Sequence, residues 1–169
     1  MIVLGIDPGT AITGFGIIEE LADQSLKVLD CGVIRTSAAS SDWERLQLLF
    51  ERISEIICLH HPDCAAVEKL YFQQNVTTAL SVGQARGVIL LAMAQHRLQV
   101  SEYSPLEVKQ SVAGYGRADK QQVQRMVKTL LMLNEPPSPD DVADALAVAI
   151  CHLNSHQMKK LAEQTDSDG

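Results

Sequence analysis

Residues 4–10 of this chain are Leu4-Gly5-Ile6-Asp7-Pro8-Gly9-Thr10, and they place one carboxylate directly after an apolar run. Residues 1–6 are apolar enough to form a fully buried strand, which Asp7 ends. Pro8 and Gly9 then predict a turn, because proline fixes φ and glycine permits positive φ. A second apolar run, residues 14–18, follows at hairpin distance. We therefore predict a hairpin with Asp7 at the rim of a central sheet.

Three roles are open for an aspartate in this position. Asp7 can cap the turn; it can belong to a phosphate-binding hairpin of the kind found in actin-like ATPases; or it can ligate Mg²⁺, as in nucleases of the ribonuclease H superfamily. The chain has 169 residues and is 46% hydrophobic, which suits one core and one domain. An actin-like ATPase needs two lobes of this size, so length disfavours that class.

Composition and residue spacing also indicate where the protein is located and whether it binds zinc. No apolar run approaches the roughly 18 residues of a membrane span, and the N-terminus lacks the basic region of a signal peptide, so we expect a cytoplasmic protein without a membrane partner. The segment Cys58-Leu-His-His-Pro-Asp-Cys64 contains two thiols and two imidazoles. Its spacing matches no common zinc pattern, and Pro62 favours a turn between a helix and a strand.

The rest of the chain predicts three more strands and a set of helices. Leu26 to Ile34 predicts a third strand, and Ser41 begins a capping box ahead of an amphipathic helix. Further strands are predicted at Cys64 to Val67 and at Val100 to Tyr103. Helices are predicted at 76–96, from Pro105, at 118–133 and from Pro139, with Ser138 as the cap of the last one. The pattern predicts an α/β fold in which helices flank a mixed five-stranded sheet.

Four acidic residues have reasons to converge. Glu68, like Asp7, follows a buried strand, while Asp141 and Asp144 lie three residues apart and hence on one side of the last helix. Four such carboxylates repel one another strongly unless cations neutralise them. Hard oxygen ligands favour two Mg²⁺ ions, or Mn²⁺ in their place, and such a metal pair supports hydrolysis of a phosphodiester by in-line attack.

Charge is unevenly distributed along the chain. The net charge is −7, yet residues 69–128 contain eight Lys or Arg against three Asp or Glu, which makes this middle segment basic. Lys69 precedes Tyr71 and Phe72 in a polar loop, where the two rings can either anchor the loop in the core or stack on unpaired bases. Lys109 lies on the helix predicted from Pro105 and Lys120 on the basic helix at 118–133, although such lysines are most often simply solvated.

The predicted helix at 76–96 is apolar or small on almost every face. Such a helix is buried on more than one side, and in a small domain a second copy of the chain can cover the second side. Gly83 and Gly87 would allow two backbones to approach closely. The alternative is a central helix within one monomer.

Six blocks of this sequence together resemble the RuvC family of bacterial Holliday-junction resolvases. In chain order they are Gly5-Ile-Asp-Pro-Gly-Thr10, Val67-Glu-Lys-Leu-Tyr71, Gly83-Gln-Ala-Arg-Gly87, Val108-Lys-Gln110, Ala118-Asp-Lys-Gln-Gln-Val123 and Asp141-Val-Ala-Asp-Ala-Leu146. The similarity covers nearly the whole chain. It implies a ribonuclease H-like nuclease domain over residues 1–154, followed by a polar, disordered tail over 155–169.

The resemblance also implies an activity and its residues. The family resolves four-way junctions in recombination and repair by paired symmetric nicks, acts as a homodimer, and has RuvA and RuvB as partners. Two Mg²⁺ ions would be held in each active site by the four carboxylates, Asp7, Glu68, Asp141 and Asp144. Lys120 would act close to the chemistry, Lys109 would contact phosphates, and Tyr71 or Phe72 would stack at the crossover. Two rivals remain: a ribonuclease H acting on RNA–DNA hybrids, and a non-enzymatic nucleic-acid or nucleotide binding module.

Overall fold

The computed structural model describes residues 1–69 and 76–167 of the chain. The strands are β1 (Ile2–Asp7), β2 (Ile12–Glu20), β3 (Leu26–Arg35), β4 (Cys64–Glu68) and β5 (Gln99–Tyr103). The helices are α1 (Asp42–His60), α2 (Val76–Gln95), α3 (Pro105–Ala113), α4 (Lys120–Leu130) and α5 (Asp140–Ser167). All five predicted strands are thereby confirmed within a residue or two of their predicted ends.

The five strands form one mixed sheet in the order β3-β2-β1-β4-β5. Strand β1 pairs with β2 antiparallel, as does β2 with β3, whereas β4 runs parallel to β1 and β5 runs parallel to β4. Ile6 pairs with Val67. The next residues, Asp7 and Glu68, are therefore the last residues of neighbouring parallel strands and lie at the same edge of the sheet. The sheet topology therefore brings together two carboxylates that are 61 residues apart in sequence.

Helices cover both faces of the sheet because successive side chains of β1 point to opposite sides. Val3 belongs to the core shared with α3, α4 and α5, whereas Leu4 belongs to the core shared with α1 and α2. Glycines occupy the strand positions that α5 crosses, because a side chain would not fit there. A Cβ atom on Gly5 would lie 2.2 Å from the carbonyl oxygen of Ala145, so the helix packs directly against the strand backbone.

Local sequence signals set the helix ends. Glu44 accepts a hydrogen bond from the Ser41 backbone N–H at 2.8 Å, as the predicted capping box requires. Helix α4 begins at Lys120 and not at the predicted Ala118, because the carboxylate of Asp119 caps it by accepting from the backbone N–H of Gln122. Gly114 ends α3 in the left-handed conformation, with φ of 83°.

Helix α5 continues through residues 155–167, most of the stretch for which the sequence predicts a disordered tail. Side chains near the start of this stretch form hydrogen bonds, one within the helix and one to the sheet. Ser155 donates to the carbonyl of Cys151, and Gln157 donates its amide to the carboxylate of Glu20 on β2. Hydropathy does not predict these contacts, because this stretch of the chain is polar.

The thiols and imidazoles around residue 60 do not form one cluster. His60 bonds to Asp30 at 2.9 Å, Cys58 lies 4.0 Å from His96, and Cys64 lies 3.2 Å from His152. The segment is the predicted connection between α1 and β4. Across the described residues, no helix is both long enough and apolar enough to cross a membrane.

Candidate active site

Three separate elements bring carboxylates to one edge of the sheet. Asp7 ends β1, Glu68 ends β4, and the first turns of α5 supply Asp141 and Asp144. Helix α5 reaches this edge because Gly14, which pairs with Asp7 across the hairpin, lies against the backbone of Asp141. The structure thus places all four predicted acids in one electrostatic environment.

Asp7 is the most strongly perturbed of these acids. Burial raises its pKa, and the charges of Glu68, Asp144 and Asp141 raise it further, to about 8 from an ordinary 3.8. Lys120 acts in the opposite direction but does not compensate. A carboxylate held in this way binds a proton or another cation strongly, since either relieves the repulsion.

Glu68 shows the same behaviour to a smaller degree. Burial and the charge of Asp144 raise its pKa from 4.5 to about 6, against the opposing charges of Lys109 and Lys120. Burial also raises the pKa of Asp144, even though the ammonium of Lys120 lowers it. For these two acids desolvation therefore outweighs the neighbouring lysines.

Lys120 is the cation closest to this group of acids. Its Nζ atom lies 3.2 Å from Oδ2 of Asp144 and 3.2 Å from Oδ2 of Asp140. Desolvation lowers its pKa, but the hydrogen bonds and charges of the two aspartates raise it more. Lys120 is consequently an ammonium at neutral pH, which suits it to hold an anionic oxygen and makes it unsuited to accept a proton.

A small cavity of about 190 Å³ lies beside the acids. Its polar lining comes from Glu68, Lys109, Lys120 and Asp144, and its apolar wall from α3, α4 and α5. Opposite charges on its walls suit a ligand that carries both a phosphate and a metal ion. The predicted residue Lys109 is therefore next to the acids, although it lies 41 residues from Glu68 in sequence.

The donor set fits hard divalent cations. The acids supply only carboxylate oxygens, which Mg²⁺ and Mn²⁺ prefer. The pKa of Asp7 is raised by burial and by the charges of the other acids, and bound cations would relieve that repulsion. Within residues 1–69 and 76–167, no three acidic, histidine or cysteine side chains already converge tightly enough to hold an ion. The metal-binding and catalytic roles of the four acids thus stay predictions.

The remaining predicted DNA contacts are placed only in part. Lys69 follows Glu68 directly, and its backbone N–H donates to the carbonyl of Tyr103 at 2.8 Å, which extends the pairing of β4 with β5. Tyr71 and Phe72 lie outside the described residues.

Sequence reasoning misses two residues that contact Lys120 or its partners. The sequence pattern alone assigns a functional role to neither Asp140 nor Gln124. In the structure Gln124 donates to Oδ1 of Asp140 at 2.7 Å, while Oδ2 of Asp140 faces Lys120. The signal available in the sequence is the spacing, because Lys120 and Gln124, like Asp140 and Asp144, are four residues apart on one helix face.

Comparison with known proteins gives consistent matches. A family model described as crossover junction endodeoxyribonuclease RuvC matches residues 3–152. Relatives of that name from Heliobacterium modesticaldum and Pelotomaculum thermopropionicum are 59% and 56% identical over 155 and 160 residues. These alignments cover 92% and 95% of this chain, and 95% and 97% of the relatives.

Solved structures agree with the sequence matches. Thermus thermophilus RuvC is 35% identical, with a TM-score of 0.87 over 94% of this chain and 97% of its own. The complex of T. thermophilus RuvC with a Holliday junction substrate gives 33% and 0.86, over 94% and 96% of the two chains. The yeast mitochondrial Holliday junction resolvase Ydc2, at 15% identity and a TM-score of 0.69, shares the fold. The expected ribonuclease H-like architecture is confirmed, and this chain belongs to the RuvC family of crossover junction endodeoxyribonucleases.

Proposed function

We propose that this protein is a Mg²⁺-dependent endonuclease that resolves four-way DNA junctions by paired nicks, in recombination and repair. The observation that carries the proposal is the strongly raised pKa of Asp7 among three further acids, beside a cavity lined by two lysines. Membership of the RuvC family supplies the substrate class. A group of acids of this kind can bind the metal ions of a phosphodiesterase, whereas it does not stabilise the fold.

Asp7, Glu68, Asp141 and Asp144 would hold the divalent ions, of which we propose two per active site, with Mn²⁺ able to replace Mg²⁺. Such ions activate water and stabilise the leaving oxygen in phosphodiester hydrolysis. The chain itself contributes rigidity, because Asp7 and Glu68 leave paired strands and Asp141 and Asp144 lie on a helix packed against them. Carboxylates fixed in this way need little reorganisation when the phosphate binds.

The lysines would bind and orient the DNA strand to be cut. Lys120 presents an ammonium next to Asp144, where it can donate to a phosphate oxygen and offset the negative charge that develops there. Lys109 faces the same cavity from α3 and would contact a neighbouring phosphate. Lys69, Tyr71 and Phe72 complete the proposed DNA contacts, with one of the two rings stacking on a base at the crossover.

A homodimer belongs to the same proposal. Two opposed strands must be cut symmetrically, so two sites related by a two-fold axis match the symmetry of a junction. Helix α2 buries Ala85, Ile89 and Met93 against the sheet side, yet leaves Leu80 and Leu91 more than half exposed. A Cβ atom at Gly83 or Gly87 would meet nothing within 4 Å, so this outer face can receive another backbone.

RuvA and RuvB are proposed partners, and the cytoplasm, where the DNA lies, is the proposed location.

A direct test offers the purified chain a four-way junction and an RNA–DNA hybrid side by side, with Mg²⁺ and with Mn²⁺. We expect paired nicks in the junction and little cutting of the hybrid. Preferential cutting of the hybrid would favour a ribonuclease H in its place. Sequencing of the cut ends would give the sequence preference at the same time.

The variant Asp7→Asn separates an enzyme from a binding module. We expect cleavage to be lost while junction binding persists, because cationic side chains supply most of the affinity for DNA. The exposed carboxylate of Glu135 gives a matched control, and Glu135→Gln should cut normally. Cleavage that survives Asp7→Asn would refute the assignment of the acids.

A further inference from the structure

The contacts of Lys120 extend beyond the proposed active site in a regular arrangement. Lys120 and Gln124 are one turn apart on α4, and Asp140 and Asp144 are one turn apart on α5. The Gln124 amide donates to Oδ1 of Asp140 at 2.7 Å, and Lys120 Nζ lies 3.2 Å from Oδ2 of both aspartates. The four side chains form one continuous series of contacts: Gln124, Asp140, Lys120, Asp144.

We propose that Asp140, oriented by Gln124, is a positioning residue that holds the Lys120 ammonium beside Asp144 for junction cleavage. We call Gln124 and Asp140 together the Lys120 clamp. The inference rests on the proposed function and deepens it. It assigns a role to two residues that the proposed mechanism does not use.

Helix stability does not explain the position of Lys120. It is the first residue of α4, where the helix dipole disfavours a cation by about 0.3–1 kcal/mol. Two carboxylates from another helix offset that disadvantage. The placement is therefore costly for the isolated helix and is consistent with a role at the cavity that Lys120 lines.

Asp140 has the geometry of a positioning group. A long lysine side chain has many rotamers, and one contact with Asp144 fixes the ammonium to a single oxygen. The second contact, with Asp140, restricts Nζ to the region between the two carboxylates. Gln124 in turn fixes the orientation of the Asp140 carboxylate by binding its other oxygen. Displacement of a reacting group by about 1 Å can lower the rate on the order of 100-fold. Restriction of the Lys120 ammonium should therefore increase the rate of cleavage.

The stabilising effect of the clamp itself is small. The side chains of Lys120 and Asp140 are 52% and 60% exposed, and ion pairs at such exposure add little to folding. A favourable interaction of Asp140 with the N-terminus of α5 is the structural alternative, since it lies in the first turn of that helix. The experiment must distinguish these two roles.

The test compares kcat and KM for junction cleavage in Asp140→Ala, Gln124→Ala and Glu135→Ala. We expect kcat to fall about tenfold in Asp140→Ala and about threefold in Gln124→Ala, with KM changed no more than in Glu135→Ala. Glu135→Ala removes an equal charge from the connection between α4 and α5 and should keep its kcat. Gln124→Ala leaves the charge at the start of α5 untouched, so a loss there supports positioning over helix electrostatics.

A double-mutant cycle identifies the residue through which Asp140 acts. In a Lys120→Ala background, Asp140→Ala should cause no further loss of kcat, because the group that it positions is gone. An undiminished tenfold loss in that background would overturn the proposal, as would an equal loss in Glu135→Ala. A fall in the unfolding midpoint of Asp140→Ala well above about 3 °C would assign the residue to stability instead.

One measurement tests the clamp independently of cleavage. In NMR spectra of ¹⁵N-lysine-labelled protein, the Lys120 ammonium should give a signal sharpened by its two carboxylate contacts, and Asp140→Ala should broaden or remove it. An unchanged signal would overturn the clamp. A wild-type chain that shows the signal but cuts no junction would overturn the proposed function and leave the clamp standing.

Discussion

Gly14 of β2 and Asp141 of α5 are in direct backbone contact. A Cβ atom on Gly14 would lie 2.0 Å from the carbonyl oxygen of Asp141, closer than two such atoms can approach. Gly14 also pairs with Asp7 across the hairpin. The absence of a side chain at position 14 therefore sets how close the acids of α5 come to the acid of β1.

Gly14→Ala should accordingly push the start of α5 away from the sheet. We expect a loss of stability of about 1–3 kcal/mol, because the obstacle is backbone that cannot rotate aside. Junction cleavage should fall much further than stability, since the spacing of the acids changes. Gly16→Ala is the matched control: its nearest neighbour is the Leu146 side chain, which can shift. Equal losses of cleavage in the two variants would contradict this account.

In the absence of divalent ions, the contribution of Asp7 and Glu68 to stability should fall as pH rises from about 4 to about 8. The pKa of Asp7 is about 8 and that of Glu68 about 6 in the folded chain, against 3.8 and 4.5 when unperturbed. The folded state thus binds more protons than the unfolded state in this window, and folding is penalised as those protons leave. Urea unfolding at pH 5 and pH 8 in EDTA measures the effect.

Asp7→Asn should flatten that pH dependence and raise the unfolding midpoint at pH 8. A gain on the order of 1–2 kcal/mol corresponds to about 2–8 °C for a chain of this length. Glu135→Gln, at an exposed position, should leave the dependence as it is. A variant at Asp7 that is less stable than wild type at pH 8 would show that the carboxylate is not under strain.

Divalent ions should reverse the penalty at neutral pH. A ligand present at 100 times its Kd stabilises a folded protein by about 2.7 kcal/mol, and Mg²⁺ or Mn²⁺ should do so here in wild type but not in Asp7→Asn or Asp144→Asn. Binding should release protons, because the ions compete with protons for Asp7. Titration calorimetry in two buffers of different ionisation enthalpy counts those protons. Binding without proton release would place the ions elsewhere.

Lys109→Ala should reduce the salt dependence of junction binding. Removal of one phosphate contact lowers the slope of log K against log salt by roughly one. Lys27→Ala, on edge strand β3 at the far side of the sheet, removes a charge at an exposed position and should not change the slope. Fluorescence anisotropy of a labelled junction between about 50 and 200 mM salt, the range over which such contacts matter, gives both slopes. An unchanged slope in Lys109→Ala would place Lys109 off the DNA.

Light scattering should give twice the 18.5 kDa chain mass at micromolar concentration. Leu91→Glu, on the outer face of α2, should shift the protein toward monomer, because it introduces a charge at the proposed interface. Leu59→Glu alters a leucine on α1 that is also more than half exposed and should leave the mass unchanged. A wild-type monomer, or dissociation in the α1 variant alone, would move the interface away from α2.

Structural features that depend on nearby residues could be predicted from the sequence, whereas those that depend on distant residues could not. The strands and most helix ends were predictable, because alternation, capping residues and Gly114 act within a few residues of the structure that they specify. The end of α5 was not, since Gln157 is fixed by Glu20, 137 residues away. The zinc alternative around Cys58 and Cys64 likewise needed coordinates, which show each side chain directed to a different partner.

The sequence by itself determined which acids stand at the ends of buried elements, because burial pattern and strand length are local properties of the chain. Only the tertiary structure decided how those acids interact. The raised pKa of Asp7 depends on the parallel pairing of β1 with β4 and on the close packing of α5 against Gly14. The pairing of Lys120 with Asp140 likewise depends on how α4 meets α5. Electrostatic energies vary with distance and burial, and both are fixed by contacts between residues far apart in sequence.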